Sequence, residues 1–127
     1  MKITLLTIIS IFTFSLLNAQ IADLTGKQFH QVDEMPDSDT YLKFVSSTKA
    51  TYIMTGTLPI SHQSYRDECP CTVTVTGSKV SIRCICSDKE VYPDPIEDSF
   101  TYDSKTQTLT STRFRSLDGK YWVWKLN

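Results

Sequence analysis

Apolar and polar residues alternate one for one over Cys71–Thr76 and again over Val80–Cys84. A period of two is the mark of a strand with one buried face. It recurs in shorter form along most of the chain. Runs rich in Thr, Val, Ile, Tyr and Phe predict strands near 23–32, 40–46, 49–57, 70–76, 79–86, 98–103, 107–116 and 120–126, and no segment carries a helical period. Pro36, Pro59, Pro93 and Pro95 fall between these runs, where a missing N–H costs nothing. The fold expected is all-β. Eight sequential strands predict an eight-stranded antiparallel up-and-down barrel, because closure removes exposed edges. A two-sheet β-sandwich is the alternative.

Two hairpins can be read in register. Gly77-Ser78 reads as a two-residue turn with glycine first. Val75 then faces Val80, Val73 faces Ile82, Cys71 faces Cys84 and Cys69 faces Cys86, with every cysteine on the apolar face. At the other end of the chain, Ser116-Leu117-Asp118-Gly119 suits a three-residue loop with Gly119 left-handed. That register sets Phe114 against Trp122 and Thr112 against Trp124. It turns Trp122, Trp124 and Leu126 inward and leaves Arg113, Arg115 and Lys125 outside. Leu109 has the opposite parity to Phe114, so either Leu109 faces outward or a bulge interrupts Thr110–Thr112.

Composition adds a compartment. Met1-Lys2, an uncharged stretch from Ile3 to Leu17 and then Asn18-Ala19 form a secretory signal, residues 1–19, with cleavage after Ala19. The stretch is shorter than a bilayer span and dotted with Thr and Ser, so no membrane insertion is expected after cleavage. Residues 20–127 make a single barrel domain. Loss of Lys2 takes the formal charge from −1 to −2, which leaves no basic footprint for nucleic acid. The expected location is secreted or periplasmic.

The four cysteines carry the strongest chemical signal. Cross-strand disulfides Cys71–Cys84 and Cys69–Cys86 are expected, because both pairs are non-hydrogen-bonded and the α-carbons of such pairs lie close. The first closes a loop of about 14 residues and contributes roughly 3 kcal/mol. The competing reading is a metal-binding or redox protein using the same four-cysteine patch, Cys69, Cys71, Cys84 and Cys86; the one-residue spacers argue against zinc.

Nothing else in the chain reads as catalytic. His30 alternates with Phe29 on a strand, and His62 lies in a polar loop with no nucleophile motif. No cofactor, metal or enzyme activity is expected. Phe114, Trp122 and Trp124 share one predicted interior face beside small threonines, so any ligand is expected to be apolar and to enter there, at one open end. A filled barrel would instead leave the loops, or the Arg113–Arg115 face, for a protein partner.

Leu24-Thr25-Gly26-Lys27, Tyr41-Leu42-Lys43-Phe44, Phe100-Thr101-Tyr102-Asp103 and Gly119-Lys120-Tyr121-Trp122 together resemble the small exported lipocalin-like barrels of bacteria. Lipocalins usually place Trp two residues after the opening glycine, where this chain has Gln28 followed by Phe29. The resemblance implies an up-and-down barrel that binds an apolar small molecule. Beyond that, the expected function is that of an exported, non-enzymatic binding or interaction module.

Overall fold

The computed structural model describes residues 23–32 and 37–127. Residues 1–22, which include the expected secretory segment 1–19, and the stretch Asp33–Pro36 lie outside the described residues. The strands are β1 (Gln28–Gln31), β2 (Ser38–Phe44), β3 (Lys49–Thr57), β4 (Ser64–Thr76), β5 (Lys79–Cys84), β6 (Ile96–Asp103), β7 (Thr108–Arg115) and β8 (Tyr121–Leu126). Each pairs antiparallel with its chain neighbour, and β1 pairs with β8, so the sheet closes into an eight-stranded up-and-down barrel.

The lumen is packed. Phe29 lies edge-on to Phe44 and Tyr102, with ring centres 5.8 and 6.2 Å apart, and Trp124 lies edge-on to Tyr52 and Phe100 at 5.8 and 6.0 Å. Leu42, Ala50, Val73, Val80, Ile82, Leu109 and the four cysteines pack around these rings. An eight-stranded barrel is just wide enough to be filled in this way. The Trp124 indole N–H is buried with no acceptor among the described residues.

The cysteine hairpin takes the expected register, with Cys71 opposite Cys84, Val73 opposite Ile82 and Val75 opposite Val80. Gly77 has a φ of 61° and Ser78 a negative one, as a two-residue turn with glycine first requires. Both disulfides are formed, Cys71–Cys84 and Cys69–Cys86, with α-carbons 4.0 and 4.5 Å apart. Such bonds fit an oxidising compartment.

Several boundaries move, three of them instructively. The first strand begins at Gln28, because Asp23–Lys27 folds as a turn: Asp23 accepts the Thr25 amide, Lys27 donates to the Leu24 carbonyl and Gly26 has a φ of 80°. β4 begins six residues before Pro70. A strand residue's N–H and C=O point to the same side. The Pro70 carbonyl accepts the Ile85 amide, so its missing N–H also falls toward that neighbour, just past the end of β5, and the β3–β4 ladder loses nothing. β5 stops at Cys84 instead of Cys86, although Cys86 stays buried.

The last hairpin is corrected. Next to the turn the expected register holds, with Arg115 opposite Tyr121 and Gly119 left-handed at 84°. Further along, Thr110 meets Val123 and Leu109 meets Trp124. Thr112 therefore does not face Trp124; it is exposed and donates to the Ser99 carbonyl. Five steps along β7 match two along β8, and this odd surplus returns both Leu109 and Phe114 to the inner face. Ser111 holds the bulge. Its hydroxyl accepts the amides of Arg113 and Phe114 at 3.1 and 2.9 Å and donates to buried Asp98 at 2.8 Å. Leu126, expected inward, ends exposed at the barrel's rim.

Candidate functional site at the loop end

An up-and-down barrel has two ends, and here they differ. One end carries the short turns between β2 and β3, β4 and β5, and β6 and β7. The other carries the longer connections 58–63, 85–95 and 116–120, together with the end of β1 and the start of β2. Inner positions of β2, β3 and β4 continue past the packed rings toward this loop end as Ser38, Gly56, Tyr65 and Asp67. They open into a cleft of about 560 Å³.

Gly56 is what makes room there. A side chain at this position would bring its Cβ to 2.6 Å from the Asp37 carbonyl and 2.7 Å from the Tyr65 hydroxyl. Both approaches are closer than real contacts, so only glycine lets the Tyr65 ring and the Asp37 backbone close over β3. The Asp37 carbonyl accepts the Thr57 amide at 2.9 Å, and Asp37 itself has a φ of 70°. The facing wall comes from the 85–95 connection. Asp88 caps its turn through the amides of Glu90 and Val91, and its carbonyl accepts the Tyr92 amide. That turn presents Val91 and Tyr92 to the cleft. Leu58 and Pro59 complete the rim.

Tyr92 donates its hydroxyl to the Asp67 carboxylate at 3.0 Å. Burial first, then that bond and the negative charge of Asp67, push the Tyr92 hydroxyl up to about 12. It remains a proton donor at any physiological pH. Asp67 therefore stays fixed by a neutral partner. Among the described residues neither Asp37 nor Asp67 enters an ion pair; Arg66, next in sequence, points outward to Glu68 at 3.2 Å.

The residues singled out in the sequence divide. Phe114 and Trp122 stack with centres 5.3 Å apart, half-buried, at this same end on the β7–β8 wall, and the Arg113 guanidinium lies 5.4 Å from the Phe114 ring. Trp124 lies deeper, wholly buried between Tyr52 and Phe100. None of the three lines the cleft on the β2–β4 side. Cys69, Cys71, Cys84 and Cys86 are all bonded, so no thiolate is present to hold a metal or exchange. His30 stacks on Tyr41 and meets Asp39 at 3.1 Å, while His62 is exposed with a φ of 56°. Neither histidine lines the cleft.

The cleft was missed in the sequence because its parts come from four separate places. One signal was there. An isolated glycine inside a strand-like run marks a close approach, and Gly56 follows Ala50–Thr55. Compared with models of protein families, with curated proteins and with solved structures, the chain matches none.

Proposed function

We propose that the chain is an exported, non-enzymatic binding module, lipocalin-like in architecture and secreted or periplasmic, that takes a small apolar ligand at its mouth instead of in its lumen. One contrast carries this reading: the lumen is filled by rings, while a cleft of about 560 Å³ stands open above them. That volume lies in the range of small-molecule sites, about 300–1,000 Å³, and its lining of aromatic and aliphatic side chains with a few polar groups is the usual one. Leu58 and Val91, both largely exposed, gain most from being covered. The apolar leader and the two disulfides support export. Phe114 and Trp122 form the far wall of the same mouth, and Trp124 lies beneath it.

The test uses N-phenyl-1-naphthylamine, a neutral apolar dye that brightens when it leaves water. Residues 20–127 should bind it saturably, and replacing Leu58 and Val91 together by Ser should remove the binding. Trp124 emission should stay put, since the dye remains above the core. No saturable signal would overturn the reading, and a large Trp124 shift would move the ligand into the lumen.

A further inference from the structure

Accepting the mouth as a binding site, we infer that its ligand is a small organic cation, an apolar body carrying an ammonium group. Four observations lead there. First, Asp37 and Asp67 are the charged residues lining the cleft, and the rest of its lining is neutral. Second, these carboxylates have no cationic partner among the described residues, so a ligand's positive charge displaces no existing ion pair. Third, two aromatic rings, Tyr65 and Tyr92, stand beside the carboxylates, and the faces of such rings attract ammonium groups. Fourth, the geometry is set before any ligand arrives. Gly56 admits the Tyr65 ring, the Tyr92 hydroxyl pins Asp67, and the turn capped by Asp88 holds Tyr92. Preorganised groups lose little freedom on binding.

The two parts of such a ligand have separate places. Leu58, Pro59 and Val91 at the rim take the apolar body, and the carboxylates with the tyrosine faces take the head. An anionic amphiphile would set its charge against two carboxylates and be refused. A neutral one would keep the rim contacts alone. The cleft should therefore rank ligands by charge at constant apolar body.

Decyltrimethylammonium, decanol and decanoate share a ten-carbon chain and differ in head-group charge. Calorimetric titration of residues 20–127 with each, below micelle formation, should give the order cation, neutral, anion. The cation should bind roughly tenfold tighter than the alcohol, a free-energy difference of about 1.4 kcal/mol. Replacing Asp37 and Asp67 by Asn together should bring the cation down to the alcohol's affinity and leave the alcohol's unchanged. The Asn side chain still accepts the Tyr92 hydroxyl, and circular dichroism checks that the barrel is intact. Equal affinities for all three, or tightest binding of decanoate, would overturn the cation inference and leave the apolar site standing. Binding of none would overturn the site itself.

Discussion

The two ends of this barrel are built from the same eight strands and share almost nothing else. At the turn end Phe29 meets Phe44 and Tyr102 edge to face, Leu24 is buried from the turn before β1, and the connections are short, with Val45 their exposed apolar side chain. Lys27, Lys43, Lys49, Lys79, Lys105 and Lys125 lie at or near this end, opposed there only by Asp23 and Asp103 among the described residues. Lys27 is the best held, bonded to the Tyr102 hydroxyl and the Gln107 amide oxygen at 3.2 Å each. The loop end inverts this pattern. Its connections are long, they expose Leu58, Ile60, Ile85, Val91 and Leu117, and carboxylates outnumber cations. A barrel is made stable by whichever end packs, and the other end is then free to carry groups that do not help it fold.

The largest expected effect is a direct break of that contrast. Phe29→Ala at the turn end should cost about 3–5 kcal/mol, as removal of a buried ring does. Ile60→Ser, on a side chain 95 % exposed at the loop end, should stay within about 0.5 kcal/mol of the parent. Urea unfolding of both variants checks the pair. Equal losses would mean that the loops, too, hold the fold.

Next in size is the staple. Cys71→Ala with Cys84→Ala should lower stability by roughly 2–5 kcal/mol, the usual cost of losing a native disulfide. Non-reducing peptide mapping of the parent should return the pairs 71–84 and 69–86. A crossed pair would contradict the register of β4 against β5.

The smallest effect concerns the charge buried at the loop end. Burial, the largest influence on Asp98, lifts its carboxyl above the ordinary 3.8, and the bonds from Ser111 and the Ser99 amide with the Arg113 charge pull it only partly back. The folded chain thus holds the proton more tightly than the unfolded one. This contribution to stability is complete below the ordinary value and is lost as pH rises through the raised one. Asp98→Asn keeps an acceptor for Ser111 and removes the titration. Relative to the parent, the variant should gain stability as pH goes from about 3 to 7 in a series of urea melts. A constant difference across that range would show that Asp98 does not titrate differently in the fold.

Much of the fold was legible because it is local. The Gly77-Ser78 turn, the alternation on either side and the shared parity of the cysteines specify one register, since a slip of one residue would turn every valine and cysteine outward. The loop after Arg115 was legible for the same reason, through Gly119. The register failed only beyond Phe114, where the parity clash between Leu109 and Phe114 signalled a bulge without locating its support. That support is Asp98, thirteen residues back on β6. The expected strand begins only at Pro70, yet the pairing of β4 with β3 runs back to Ser64. Pro70 does not break that pairing, because its missing N–H falls on the other side, just past the end of β5.

What the sequence determined by itself is therefore strand, turn and pairing within each hairpin, together with the cysteine partners, because side-chain parity and turn chemistry act over a few residues. What the tertiary structure alone decided is which hairpin ends are neighbours. The alternating path of the strands gathers most of the lysines at one end and most of the carboxylates at the other, although the chain's formal charge is only −1. The same path brings Tyr92, from the connection after β5, to Tyr65 and Asp67 beside Gly56 on the β3–β4 pair. Tyr92 and Asp67 are 25 residues apart and no local rule pairs them, so the cleft exists only once the strands have assembled.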